Sequence, residues 1–443
     1  MKVCCDIMND CIVALDLGTT AFKAAAVAED TLIGRPTVVR YNLDYKKDFV
    51  TCEPEKLYRS ALRALRGAAK TAREQGLQVT AIGISSQAQT YLALDAVGEA
   101  VQPAIIWTDS RATAQAELAA QDFPDFALTS GFLRPSPLQF LPKVRYFQRR
   151  RRTAQRFLLL NEWLIYRLTG EAYGDETNQG MGGFYDIQAR AWSERALEWA
   201  WLTPENLARV APAASISAPL RGGRLLGLPE VPVYSCGNDQ SCAAVGAGLE
   251  RAGDILCNFG TAMVVYAQKN SPVPPRKEDQ IAGIGPMTSQ QAPSWFLLGL
   301  EPECGNVFDW LAKLLYPRGG VEALLTAAFT NEILAKDEPE LVLTGGGRLD
   351  LRGLMLSSRR EHVARGVVDF YIIRFRDLLR DVTANEPRPS RLFASGGLSQ
   401  NDLWLTFLPY YCGHQLIRTA SEHPGLVGIA RIIQNGRDHG ASI

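Results

Sequence analysis

Two stretches of this chain repeat one another. Cys11 to Ala28 reads CIVALDLGTTAFKAAAVA: the apolar run Ile12-Val13-Ala14-Leu15, then Asp16-Leu17-Gly18-Thr19-Thr20, then a second apolar run from Ala24 to Ala28. Asp254 to Tyr266 follows the same plan, with Asn258-Phe259-Gly260-Thr261-Ala262 between apolar runs. Short apolar runs joined by a Gly-Thr turn predict a hairpin of buried strands. An echo of this kind, in a chain of 443 residues, predicts two related domains. The turn also suits phosphate. Gly18 lets the backbone approach a ligand, and Thr19 and Thr20 offer hydroxyls and N–H groups to its oxygens. Lys23 can add positive charge. Asp16 would repel phosphate directly but suits a hydrated Mg²⁺. Read alone, the first stretch is equally an ordinary glycine hairpin; with its echo, each copy can present a phosphate-binding turn to a shared cleft.

The rest of the chain alternates strand and helix, as an α/β protein does. Helical spacing runs from Pro54 to Gly76. Val79 to Ile84 reads as a buried strand ending in Ser85-Ser86-Gln87-Ala88-Gln89. Another buried run, from Pro103, ends in Trp107-Thr108-Asp109-Ser110-Arg111. Lys143 to Arg156 is dense in basic residues and reads as a solvated helix end. Helices are expected over Glu162–Gly170 and Trp192–Trp201. Ala211 to Pro232, rich in Pro, Gly and Ser, reads as a connection. The expected organisation is a disordered tail over 1–10, an N-terminal domain over 11–230 and a C-terminal domain over 231–443. In the second half, a strand over Val231–Cys236 runs into Gly237-Asn238-Asp239 and a helix of small residues, Gln240 to Gly248. Cys304-Gly305 precedes an amphipathic helix, and a long helix spans Glu361 to Arg380. The strand Arg391–Ser395 leads to Gly396-Gly397 and Asn401 before a final helix-opening Asp402.

Composition narrows the class. The chain is 47% hydrophobic and 21% charged, with a formal net charge of zero. That balance argues against nucleic acid or an anionic membrane as partner. The nine cysteines include no CxxC pair and the four histidines show no ligand spacing, so neither a disulfide framework nor a zinc site is expected. The N-terminus has no apolar core of a signal peptide, and no apolar run is long enough to span a bilayer. A cytoplasmic location is the expectation.

Several polar residues carry two readings. Asp109 and Arg111 either pair with each other or, with Trp107, form a sugar site of a ring to stack on and groups that bind hydroxyls. Asp239 is either a helix N-cap or a base on a rigid mount between strand and helix. Gly396-Gly397 is either a packing device or a close approach for a ring or phosphate.

Together these motifs resemble the carbohydrate kinase family that includes xylulokinases, glycerol kinases and gluconokinases (the FGGY kinases). The resemblance runs from Ile12 to Ile432. It is carried by Asp16-Leu-Gly-Thr-Thr20, Gly83-Ile-Ser-Ser-Gln87, Trp107-Thr-Asp-Ser-Arg111, Tyr166-Arg-Leu-Thr-Gly170, Gly237-Asn-Asp239, Phe259-Gly-Thr261 and Gly396-Gly397 with Asn401. It implies an α/β fold of two ribonuclease H-like, actin-like domains around a central ATP cleft, the N-terminal one binding sugar and the C-terminal one nucleotide. It implies ATP-dependent phosphorylation of a sugar hydroxyl, most closely of a ketopentose such as xylulose or ribulose, with another ketose or a polyol as the alternative. Asp239 would be the general base and Asp16 the Mg²⁺ residue, acting through water. Gly18, Thr19, Thr20, Lys23, Gly260 and Thr261 would bind the ATP phosphates; Gly305, Gly396, Gly397 and Asn401 would line the nucleotide. Gln87, Ala88, Gln89, Trp107, Asp109, Arg111 and Asp239 would face the sugar. The partners implied are the sugar and ATP, with a homodimer compatible. Two features depart from the pattern. Ala88-Gln89 stands where xylulokinases commonly carry Met-His and glycerol kinases Arg-Glu, and the region 269–347 is shorter than usual. A rival reading is a non-catalytic member that binds without turning over. An actin-type or chaperone-type ATPase would lack the Trp-x-Asp-x-Arg block.

Overall fold

A computed structural model describes residues 10–150, 154–223, 226–286, 294–330, 340–344, 348–384 and 389–438. The expected tail over 1–10 therefore lies outside the described residues except for Asp10, which opens a strand. Arg151 and Arg152 of the basic run, and the three glycines at 345–347, also lie outside them. Contacts divide the chain into two compact units: residues 1–251 with 269–296 and 423–443, and residues 252–268 with 297–422.

The first unit is built on a six-stranded sheet. Its order is Ser217–Pro219, Pro232–Asn238, Gln78–Ser86, Asp10–Leu17, Ala21–Ala28, Thr31–Arg40. Asp10–Leu17 and Ala21–Ala28 form the expected antiparallel hairpin, while Gln78–Ser86 runs parallel to both Asp10–Leu17 and Pro232–Asn238. Alternation along the first strand sends Val13 and Leu15 to one face and Ile12 and Ala14 to the other. The first face is covered by the helix Pro54–Glu74, which buries Leu57, Ala61, Leu65 and Ala68 at helical spacing. The second is covered by Pro424–Asp438 and Asp239–Ala247, through Ile429, Ile433 and Cys242. A second, antiparallel sheet runs in the order Asp44–Lys46, Phe49–Cys52, Ala104–Ile105, Tyr91–Leu94, Arg156–Leu159.

The second unit repeats the central pattern of the first. Asp254–Phe259 pairs antiparallel with Met263–Lys269 and parallel with Arg391–Ser395, which runs parallel to Leu416–Arg418. The repeat holds at residue level: Asp16 lies opposite Ser85 in the first unit, and Asn258 opposite Ser395 in the second. The helices Gly305–Leu315, Gly320–Thr330, Arg360–Thr383 and Asp402–Cys412 complete the unit.

Three expectations shift. The division at 230/231 moves to 251/252, because Pro232–Asn238 adds to the first sheet and Asp239–Ala247 packs on Pro424–Asp438. The basic stretch does not form a solvated helix end throughout. Its helix, Phe140–Gln148, buries Lys143 at 1% exposure, and Arg156 starts a strand. The helix expected over Trp192–Trp201 is confined to Glu194–Trp199, with Ser193 accepting from the Ala196 N–H as its cap. The seven described cysteines carry no disulfide, and no described helix is long and apolar enough to cross a membrane.

Candidate active site

Three neighbouring parallel strands of the first unit end together. The register sets Asp16 and Leu17 beside Ser85 and Ser86, and those beside Gly237 and Asn238. The next residues therefore leave the sheet at one edge: Gly18-Thr19, Gln87 and Asp239. The carboxyl ends of parallel strands are where α/β sheets hold ligands. The Gln87 N–H donates to the Leu17 carbonyl at 3.1 Å, tying two of the ends directly.

Asp239 is the first residue of the helix Asp239–Ala247. Its N-cap is Asn238, whose Oδ1 accepts the Ser241 N–H at 2.8 Å. The capping role is thus filled by the neighbour, and the Asp239 carboxylate is left for other chemistry. It accepts the Gln240 N–H at 2.9 Å. Burial, and then the Asp16 charge, push its carboxyl up to about 7. Burial likewise raises Asp16, against the opposing pull of Lys23 across the hairpin and of the Ser85 hydroxyl, which donates to Asp16 Oδ1 at 3.1 Å. Two carboxylates that resist ionising side by side are an oxygen-donor pair that a divalent cation would relieve. Mg²⁺ takes one or two carboxylates and keeps the rest of its shell as water and phosphate, so the residues present fit it.

Beside this pair lies a chain of hydrogen bonds. Trp107 donates its indole N–H to the Thr19 hydroxyl at 2.8 Å, and Thr19 donates to Gln87 Oε1 at 2.6 Å. The opposite end of the Gln87 amide, Nε2, is buried without a hydrogen bond. The Tyr41 hydroxyl beside it donates to the Gly18 carbonyl at 2.8 Å. The Gln240 Oε1 atom is also buried and unpaired. A buried donor and a buried acceptor without partners are costly unless a ligand completes them. Trp107 is 37% exposed and leaves its ring face available.

Other predicted sugar residues are engaged elsewhere. Gln89 donates through Nε2 to the Met181 carbonyl and accepts the Phe140 N–H at 2.8 Å, so its amide braces two loops instead of facing a sugar. Asp109 and Arg111 form the plain pair: Nε to Oδ1 at 2.7 Å and Nη2 to Oδ2 at 2.6 Å, with Oδ2 also accepting the Val50 N–H. Arg111 lies over the Phe49 ring at 4.1 Å. Ala88 is half-buried and offers only its methyl and backbone. The Thr19 hydroxyl, expected on phosphate, is taken by Trp107 and Gln87, which leaves its N–H for that task.

In the second unit the Gly260-Thr261 turn is held by close backbone approach. The Gly305 N–H donates to the Gly260 carbonyl at 2.9 Å, and Cys304 N–H to the Thr261 carbonyl at 2.8 Å. A side chain at Gly305 would press on the Gly260 carbonyl. Gly396, at φ +89°, stands against Phe259 and the Asn258 side chain, whereas Gly397 faces open space. Asn401 uses Oδ1 to cap the helix Asp402–Cys412, accepting the Trp404 N–H at 3.2 Å. Four of the nucleotide-side candidates (Gly260, Thr261, Gly305 and Gly396) are thus gathered around the echo hairpin. Thr261 and Thr20 are both exposed.

The N-terminal domain profile of the FGGY family of carbohydrate kinases matches residues 11–246, and its C-terminal domain profile matches 255–433. The chain belongs to this family. It is an ATP-dependent carbohydrate kinase with the family's two-domain, actin-like α/β fold. The xylulose kinase of Escherichia coli is 25% identical over 449 aligned positions, covering 95% of this chain and 89% of that protein. The glycerol kinase of Thermococcus kodakarensis is 23% identical, covering 96% and 88%. Among solved structures, ligand-bound xylulose kinase from Lactobacillus acidophilus superposes with a TM-score of 0.88 at 17% identity, covering 97% of this chain and 90% of that one.

Three further residues adjoin the candidate site. Tyr41 anchors Gly18, Gln240 presents an unpaired acceptor, and Lys143 lies behind Trp107. Gln240 had a signal in its position next to Asp239. Tyr41 and Lys143 had none, since each acts on a segment distant in sequence.

Proposed function

We propose that the kinase phosphorylates a hydroxyl of a neutral ketose or polyol, with a ketopentose such as xylulose or ribulose as the first candidate and Asp239 as general base. The reading rests on one observation: Asp239, with the helix-capping role filled by Asn238, leaves the sheet beside Asp16 and Gln87. A carboxylate free of capping duty on a rigid strand-to-helix mount can accept a hydroxyl proton. Phosphoryl transfer otherwise needs mainly positioning and charge neutralisation.

Among the buried polar groups left without partners, the Gln87 Nε2 donor and the Gln240 Oε1 acceptor belong to the residues that flank Asp239 and Thr19. A polyol supplies the matching acceptor and donor from its hydroxyls. The Trp107 ring offers a face to the carbon chain. Nearby cations are engaged: Arg111 by Asp109, Arg190 by Glu176, and Lys143 by two backbone carbonyls. Lys23 faces Asp16 across the hairpin. A substrate carboxylate would meet Asp16 and Asp239 with no cation reserved for it among the described residues, which disfavours a sugar acid.

Asp16 would hold Mg²⁺ through water, and the metal would neutralise charge on the transferring phosphoryl group. The backbone of Gly18-Thr19-Thr20 with Lys23, and that of Gly260-Thr261, would hold phosphates; Gly305, Gly396, Gly397 and Asn401 would line the nucleotide. Asp239 would take the proton from the attacking hydroxyl and orient that oxygen.

The test is ADP release with a panel of pentuloses, hexuloses, glycerol, longer polyols and gluconate. Stimulation by a neutral member and not by gluconate is expected. With the best substrate, Asp239→Asn should bring turnover below about a tenth while leaving ATP binding intact. Full turnover in that variant, or stimulation by gluconate alone, overturns the reading.

A further inference from the structure

Lys143 is an unusual residue to find at the centre of a unit. It lies on the helix Phe140–Gln148 at 1% exposure, and its Nζ donates to the carbonyls of Ile106 and Trp107, both at 3.0 Å. A buried lysine is expensive unless its donors are used, and here they converge on two consecutive peptides. The Trp107 peptide is gripped from its other side too: its N–H donates to the Thr90 hydroxyl at 3.0 Å. From that fixed backbone the indole reaches Thr19, and Thr19 sets the Gln87 amide with Nε2 left unpaired.

We infer that Lys143 is a positioning residue for the acceptor sugar, fixing the Trp107 peptide so that Trp107, Thr19 and Gln87 are preset to receive it. The inference rests on the sugar-side reading proposed above. Lys143 does not touch the substrate; it acts through Trp107. A compact ammonium can reach two neighbouring carbonyls at once, which a planar guanidinium or a shorter amide cannot do in the same space. The grip does not require the charge. Burial pushes the Lys143 ammonium down to about 7, with Arg111 adding to that and Asp109 opposing it. The neutral amine still has two N–H groups for two carbonyls. The Tyr91 hydroxyl, which donates to the Lys143 carbonyl at 3.4 Å, and the Asp109–Arg111 pair complete the polar surroundings. Without Lys143, two buried carbonyls lose their donor and the Trp107 segment is free to shift, so the ring and Gln87 are no longer set in advance.

The experiment is a double-mutant cycle on the full-length enzyme. Lys143→Met keeps length and removes the donors; Trp107→Phe removes the indole donor. Lys143→Met should raise the KM of the accepted sugar by roughly tenfold, about one hydrogen bond's worth or slightly more, with the KM of ATP changed by less than about twofold. In the Trp107→Phe background the same substitution should add less than about twofold, because both act on one chain of contacts. Lys143→Gln, which keeps one donor arm, should fall between and serves if the methionine variant does not fold. Acrylamide quenching, taken as the difference between parent and Trp107→Phe, should show Trp107 more accessible in Lys143→Met. A full-size effect persisting without the Trp107 indole, or equal changes in the sugar and ATP constants, overturns the inference. So do unchanged sugar affinity and unchanged quenching. If no neutral sugar supports turnover by the parent enzyme, the substrate reading fails instead, and the quenching result still decides whether Lys143 holds Trp107.

Discussion

The indole N–H of Trp107 donates to the hydroxyl of Thr19 at 2.8 Å. By sequence the two residues belong to different tasks, Trp107 against the sugar and Thr19 against phosphate. Their bond joins the strand-end block near residue 107 to the turn of the first hairpin. Trp107→Phe should therefore do more than alter a ring. Loss of one donor to a hydroxyl that orients Gln87 should raise the sugar KM by roughly three- to tenfold. The KM of ATP should change less, and steady-state kinetics in both substrates decide it.

Asp239 makes a stability prediction with a definite sign. Its carboxyl is raised to about 7 by burial and by Asp16. A carboxyl that holds its proton more tightly when folded contributes stability below its unfolded value, near 4, and loses that contribution as pH rises to about 7. Asp239→Asn cannot ionise and escapes the loss. Without ligands, the variant should melt above the parent at pH 8, and that advantage should shrink towards pH 4. A melting difference that does not vary with pH would remove the raised carboxyl from the account.

Gly305 and Gly397 separate packing from ligand contact. Gly305→Ala would drive a methyl against the Gly260 carbonyl and displace the turn. A lower melting temperature and a higher KM for ATP are expected together. Gly397 has nothing within 4 Å of an added Cβ. Gly397→Ala should keep the parent melting temperature and raise only the KM of ATP, by roughly fivefold if a nucleotide lies there. Unchanged ATP kinetics would take Gly397 out of the nucleotide site.

The Asp109–Arg111 pair should behave as architecture. Side-chain exposure is 0% for Asp109 and 11% for Arg111. Arg111→Met leaves a buried carboxylate without its cation, a change that costs about 3 kcal/mol or more. Thermal unfolding should show a drop of roughly 5–10 °C. A variant that melts like the parent and loses only sugar affinity would return Arg111 to the substrate.

Much of the fold was legible because it is written in local periodicity. The apolar run Ile12–Leu15, the helical spacing from Pro54 to Gly76 and the Gly-Thr turns each follow from side chains within a few positions of one another. The repeat at Asn258-Phe259-Gly260-Thr261 was legible for the same reason. The site was legible only as a set of strand ends. Which of their polar groups remained for a ligand was not, because Gln89, Asp109 and the Thr19 hydroxyl found partners far away in sequence. The basic run misled in the same way. Its charge pattern suggested solvent, whereas the carbonyls of Ile106 and Trp107 draw Lys143 into the interior.

By itself, then, the sequence determined the doubled hairpin, the strand ends that carry Asp16, Gln87 and Asp239, and the membership in a kinase family that those motifs signal. Each depends on residue order and short-range pattern. Only the tertiary structure decided that Asn238 is the helix cap, leaving Asp239 for other chemistry, and that Asp16 stands close enough to raise its carboxyl. It also decided that Lys143 stands behind Trp107. Hydrogen bonds and charges act through space, and their partners are chosen by packing between segments that sequence order keeps apart.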